Sequence, residues 1–188
     1  MSLTSFIDDL RNLLAATRAT DDAGGALGLD RASAMAVEMI GQARDGGGKI
    51  MVIGNGGSAA IAGHMQNDLQ NSAGLKALVF QEPANLTALS NDHGYGSVFE
   101  RPVARWAAPG DVLVAISSSG RSENILGAVR AARAAGCRVI TLSGFAPDNP
   151  LGQLGQVNFH VASTSYGAVE SAHAVLCHYL SDAVAGKA

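Results

Sequence analysis

One pattern recurs along the chain: a short apolar run rich in β-branched residues ends at glycine or serine and gives way to a helix-spaced segment. Residues 49–54 read KIMVIG, 111–117 read DVLVAIS and 138–144 read RVITLSG. These runs are apolar at successive positions instead of alternating, as strands buried on both faces are. Strands of that kind separated by helices predict a parallel sheet with helices on each side. KALVF (76–80) and FHVAS (159–163) supply two further strands. Helices are expected after the first strand over SAAIAGHMQNDL, in short pieces around 85–89 and 97–106, over 123–135, and over 169–184.

Two helices precede the first strand. Thr4 or Ser5 can cap one that carries Phe6, Leu10, Leu13 and Leu14 at helical spacing, with Gly24, Gly25 and Gly28 breaking it. The second runs over 29–43 with Ala32, Met35, Ala36, Met39 and Ile40 on one face, and Gly46–Gly48 end it. The expected fold is therefore α/β: a doubly wound, five-stranded parallel sheet with helices on both faces and two N-terminal helices. No linker or low-complexity segment interrupts it, so one domain is expected over 1–188, with helices over 1–48 and an α/β core over 49–188.

Composition narrows the function. A net charge of −3 without any run of like charges gives no support to non-specific nucleic-acid binding, and none is expected. No apolar stretch approaches the roughly 20 residues that cross a bilayer. The opening MSLTSFIDDLRNLL carries acids where a secretory signal carries bases. Cys137 and Cys177 are not spaced as a metal or redox pair. A cytoplasmic protein with reduced thiols is expected.

In doubly wound folds ligands bind beyond the carboxyl ends of the strands. The first strand leads into Gly54-Asn55-Gly56-Gly57-Ser58 and the third into Ser117-Ser118-Ser119-Gly120-Arg121-Ser122. Each loop opens a helix. Glycine lets backbone approach an anion, and the helix N-terminus attracts it, so a phosphate cradle is one reading. Ordinary turn and capping roles, with Ser122 simply capping its helix, are the other. Gly54, Gly56 and Ala59 also satisfy a relaxed dinucleotide fingerprint, with Glu82 as the residue that would hold a ribose. His64 and Asp68, four apart, share a helix face as two ligands of one metal ion would. Glu170, His173 and His178 on the last helix are further candidates, with a core or subunit-interface role the alternative for His173.

Taken in order, GNGGSAA with His64, LTALSNDHGY, DVLVAISSSGRSEN, VITLSG and YGAVESAH resemble the blocks of the SIS (sugar isomerase) family, and within it the phosphoheptose isomerase branch. The resemblance implies a flavodoxin-like SIS fold and a homotetramer with active sites between subunits. It implies conversion of sedoheptulose 7-phosphate into D-glycero-D-manno-heptose 7-phosphate for surface-polysaccharide heptose, an aldose–ketose isomerisation. It implies that Ser117, Ser118, Ser119 and Ser122 hold the phosphate. Asn55, Gly56, Gly57 and Ser58 would contact the sugar, with Asn91 and Asp92 beside the substrate. Asp68 and His178 would form the acid–base pair, and His64, Asp68, Glu170 and His178 a zinc site. The chain departs from the family pattern at Asp68, where glutamate is usual, and at Glu170, where glutamine is usual. Gly167 and Ala168 replace an acidic and a basic residue, and Arg121 replaces an asparagine. The family also holds non-catalytic members that bind sugar phosphates or associate with a replication initiator, which is the alternative function.

Overall fold

The computed structural model describes residues 2–188. Helix α1 spans Leu3–Ala15, and a hairpin follows, β1 (Arg18–Asp21) and β2 (Ala26–Leu27). Next come α2 (Leu29–Asp45), β3 (Ile50–Gly54), α3 (Gly57–Asn71) and β4 (Ala77–Leu78). Helix α4 (Pro83–His93) leads through a short 3₁₀ turn at Tyr95–Ser97 into α5 (Glu100–Trp106). The chain closes with β5 (Val112–Ser117), α6 (Glu123–Ala134), β6 (Arg138–Gly144), β7 (Val157–Val161) and α7 (Tyr166–Val184).

The sheet order is β2-β1-β7-β6-β5-β3-β4. The five expected strands are present and mutually parallel, from β4 at one edge to β7. Two strands were not expected. The β1–β2 hairpin pairs antiparallel onto β7, so the sheet has seven strands where five were read. The glycines taken as a helix stop lie in and beside its turn. There Asp21 folds back to accept hydrogen bonds from the N–H groups of Ala23 (3.0 Å) and Gly25 (2.7 Å). A Cβ on Gly25 would come within 2.7 Å of that carboxylate, which is why glycine fits there. The cap of α1 is Ser2, whose Oγ accepts from the Ser5 N–H at 3.1 Å, two or three residues earlier than the expected Thr4 or Ser5.

The central strands divide their side chains between two cores. Ile50, Val52, Val112, Val114 and Ile140 pack against α2, α3 and α7 through Ala36, Ile40, Met65, Leu69 and Leu180. Met51, Ile53, Leu113, Ala115 and Val139 face the other way onto Val103, Ile125 and Val129 of α5 and α6. Full burial of one such side chain stabilises by about 1.5–3 kcal/mol. A continuous apolar run is therefore what a strand between two helical layers needs. Sheet order reverses between β3 and β5: the crossover from β3 goes outward to β4, and the next returns to β5. The segments leaving the carboxyl ends of β3 and β5 consequently turn to opposite faces of the sheet at the switch point, where doubly wound folds place their ligands. Among the described residues no helix is long and apolar enough to cross a membrane.

Candidate active site

The glycine and serine loops meet at this switch point. Asn55, Ser58, Ser117, Ser118, Ser119 and Ser122 line one cleft, joined by Tyr166 and Glu170 from the start of α7. Gly56 is the N-cap of α3 with φ 53° and ψ −121°, a conformation that costs an L-residue strain, so the loop turns back under the cleft. The adjoining Gly57 lies against the Glu170 carboxylate, which occupies the space a Cβ would need. Ser58, on the first turn of α3, is buried.

The serine loop divides between the two readings that the sequence leaves open. Ser122 occupies the N-cap of α6 yet makes no capping hydrogen bond with its side chain. Ser118 Oγ is buried with no protein partner at all. A buried hydroxyl left unpaired costs about 1–3 kcal/mol, a cost that a ligand bonding it would remove. Ser117 and Ser119, by contrast, shape the turn: their hydroxyls accept from the N–H groups of Gly120 (3.2 Å) and Arg121 (3.3 Å). Gly120 sits at φ +62° directly over Asn149. Asn149, buried, braces the loop from behind by bonding Ser143 Oγ, Ala146 O and the Gly152 N–H. It was not singled out in the sequence, where it sits in an ordinary-looking loop.

The second half of the site is made by helix packing. Helices α3 and α7 lie side by side, and they bring His64 and Asp68 of the first against His178 of the second. Asp68 Oδ2 is 3.5 Å from His64 Nε2 and 3.2 Å from His178 Nδ1. The two imidazoles meet edge to face with centroids 4.7 Å apart. One ligand atom from each of the three residues lies within 4.8 Å of the others. Metal–ligand bonds of about 2.0–2.2 Å in a tetrahedron put neighbouring ligand atoms roughly 3.3 Å apart, so the two distances to Asp68 fit a zinc-sized ion. Two imidazoles and a carboxylate are also a donor set zinc accepts.

Other expected residues fall elsewhere. Glu170 does not join the three: it is two helical turns before His178 on α7, about 12 Å along the axis, and belongs to the serine cleft. Asn91 and Asp92 are exposed on α4 and bond each other at 2.9 Å; among the described residues neither makes a side-chain hydrogen bond to the two loops. Arg121 faces Asp148 at 3.5 Å. Glu82, the ribose candidate of the dinucleotide reading, is spent as the N-cap of α4, accepting from the Asn85 N–H at 3.0 Å. His173 is a core residue. It is fully buried, its Nε2 donates to the Ser143 carbonyl at 3.1 Å, and burial pushes its pKa down to about 4. Burial likewise pushes the Cys177 thiol up to about 12, so it contributes to the floor beside His64 as an uncharged group. Asn124 and Tyr95 join the site without any local sequence signal of their own. Both stand inside quoted blocks (SSSGRSEN and DHGY), and both bond the side chain of Asn55.

Comparison with known proteins agrees with this geometry. Residues 5–144 match the SIS domain family. The phosphoheptose isomerase of Thiobacillus denitrificans is 41% identical over 146 residues, 73% of this chain and 74% of that protein. The phosphoheptose isomerase of Aliarcobacter butzleri is 36% identical over 156 residues, 80% of each. The solved structure of the Neisseria gonorrhoeae phosphoheptose isomerase has the same fold with a TM-score of 0.83 at 28% identity, covering 97% of both chains. This chain belongs to the SIS domain family, on its phosphoheptose isomerase branch.

Proposed function

We propose that the protein is an aldose–ketose isomerase that converts sedoheptulose 7-phosphate into D-glycero-D-manno-heptose 7-phosphate. The observation that carries this reading is the placement of two different chemistries on one α3–α7 seam. At the start of the seam stand the glycine loop, Glu170 and the uncommitted hydroxyls of Ser118 and Ser122. Further along stand His64, Asp68 and His178. His64 follows Gly57 by seven residues on α3, about 10 Å of helix. A sugar chain with phosphate at one end and its carbonyl at the other spans a separation of that order.

The reaction moves a proton from C1 to C2 through an enediol while the carbonyl passes from C2 to C1. It needs a base at carbon, an acid at the oxygens and stabilisation of the enediolate. Asp68 and His178 are the acid–base pair. Their contact holds the His178 ring in one orientation above an apolar floor of Ile61, Met65, Ala174 and Cys177. Ser117, Ser118, Ser119 and Ser122 take the phosphate. Asn55, Gly56, Gly57 and Ser58 face the sugar. Zinc would be held by His64, Asp68 and His178. Bound there, the ion supplies polarisation of a substrate oxygen.

The whole chain, 1–188, is read as one SIS domain working in the cytoplasm as a homotetramer without nucleic acid or membrane. Exposed apolar side chains on α1 (Leu3, Phe6, Ile7) and α7 (Val175, Tyr179) offer the subunit contacts. Asn91 and Asp92, away from their own chain's loops, would then approach a neighbouring subunit's substrate. The deciding experiment is turnover of sedoheptulose 7-phosphate by the wild type and by His178→Ala. Loss of turnover in the variant with substrate binding kept is the expected result. Absence of turnover in the zinc-supplemented wild type, with saturable stabilisation by sugar phosphates, would remove the isomerase reading and leave the non-catalytic one.

A further inference from the structure

Asn55 is held by a three-residue clamp that spans the switch point. Its Nδ2 donates to Asn124 Oδ1 at 3.0 Å, and Asn124 Nδ2 donates back to Asn55 Oδ1 at 2.9 Å. Tyr95 OH, from the turn between α4 and α5, donates to the same Asn55 Oδ1 at 2.9 Å. The three residues come from the end of β3, the first turn of α6 after β5, and the α4–α5 connection. No backbone ladder joins β3 to β5 past Gly54 and Ile116, so these side chains close the gap between the two loops.

The bonding leaves Asn55 with a defined chemistry. A carboxamide oxygen has two lone pairs, and both are filled by Asn124 and Tyr95; of the two N–H donors, one is committed to Asn124. What remains for a ligand in the cleft is a single N–H. We infer that Asn124 and Tyr95 are positioning residues that present Asn55 to the substrate as a donor only, matched to a sugar-phosphate oxygen that accepts. Asn124 is buried and does not line the serine cleft, so it acts through Asn55 and not on the ligand. Fixing the amide in advance removes the ordering cost that binding would otherwise carry.

The inference rests on the isomerase reading for its substrate, and its test separates the two. The experiment is a double-mutant cycle of Asn55→Ala and Asn124→Ala on kcat/KM for sedoheptulose 7-phosphate, with Tyr95→Phe as a third variant. Asn124→Ala is expected to lower kcat/KM about tenfold, mostly through KM, in the wild-type background, and less than about twofold once Asn55 is alanine. Tyr95→Phe removes one hydroxyl from an exposed ring and should raise KM about threefold while leaving the melting temperature unchanged, which covers the case that Asn124→Ala does not fold. Additive losses in the cycle, or an unaltered KM in Tyr95→Phe, would overturn the clamp. If the wild type shows no turnover, the same cycle is read on thermal stabilisation by sedoheptulose 7-phosphate. Coupled losses there keep the clamp although the isomerase reading has failed; additive losses, or no stabilisation of the wild type, remove the clamp too.

Discussion

The two ends of the α3–α7 seam are built by different means. The serine–glycine cleft is made of loops whose shape follows from their own sequence: a glycine at φ 53°, another at φ +62°, and serines hydrogen-bonded two or three residues along. The His64–Asp68–His178 cluster is made of side chains on two helices, and His178 lies 110 residues beyond Asp68. The first offers backbone N–H groups and uncharged hydroxyls, with the Glu170 carboxylate beside them. The second gathers two imidazoles and a carboxylate, groups able to exchange a proton or take a metal. Binding and chemistry are thus separated along one pair of helices, and each should be removable without the other.

The largest separation is expected from His178→Ala. Loss of a general acid–base group typically costs 10²–10⁴ in rate, so kcat should fall by that order while KM moves less than about threefold. A parallel collapse of both parameters would show that the two ends are not independent.

Between them sits His173, which tests whether the seam is held together by its buried core. Its pKa in the folded protein is near 4, below the ordinary 6.5, because burial disfavours the charged ring. The unfolded chain therefore takes up a proton first. Stability contributed by the neutral ring is complete above about pH 6.5 and is lost as the pH falls toward 4, by about 3 kcal/mol at that end. Urea unfolding at pH 7 and at pH 4 should reveal this slope, and His173→Gln should flatten it.

Zinc sharpens the contrast from the other side. At about 100 times its Kd an ion bound only to the native state stabilises by about 2.7 kcal/mol. The wild type should gain that in a melting experiment, and Asp68→Ala should gain little. A Ser118→Ala variant with an undiminished gain would place the ion outside the serine cleft.

The smallest effect is expected from Ser118→Ala itself. Its hydroxyl has no partner in the free protein, so removal should leave stability within about 1 kcal/mol while raising KM about tenfold. A stable variant with unchanged KM would mean that the orphan hydroxyl meets no ligand.

Much of this architecture is legible in the chain. KIMVIG, DVLVAIS and RVITLSG are apolar at every step because each strand feeds two cores, and a run of that kind has few other homes. The β1–β2 hairpin is not legible in the same way. RATD and AL have no alternation to detect; RATD is a strand because β7 offers it an edge, and AL because RATD does in turn. The glycines that punctuate this stretch mark a break in either structure, so they could not separate a helix stop from a hairpin turn.

The site divides along the same line. The glycine and serine loops are local motifs, and their position at strand ends follows from the order of elements. Spacing also put His64 and Asp68 on one helix face, since residues four apart are neighbours on any helix. That His178 completes their cluster while Glu170, on the same helix, stays with the serines is a matter of which turn of α7 lies beside which turn of α3. That Asn55 bonds Asn124 and Tyr95, and that His173 is a buried core residue, are equally products of packing. The sequence by itself determined the layers, the parallel strands and the position of the glycine and serine loops at strand ends, because these rest on periodicity and backbone conformation. Only the tertiary structure decided which side chains meet across the seam, because contacts between segments a hundred residues apart depend on how whole helices dock.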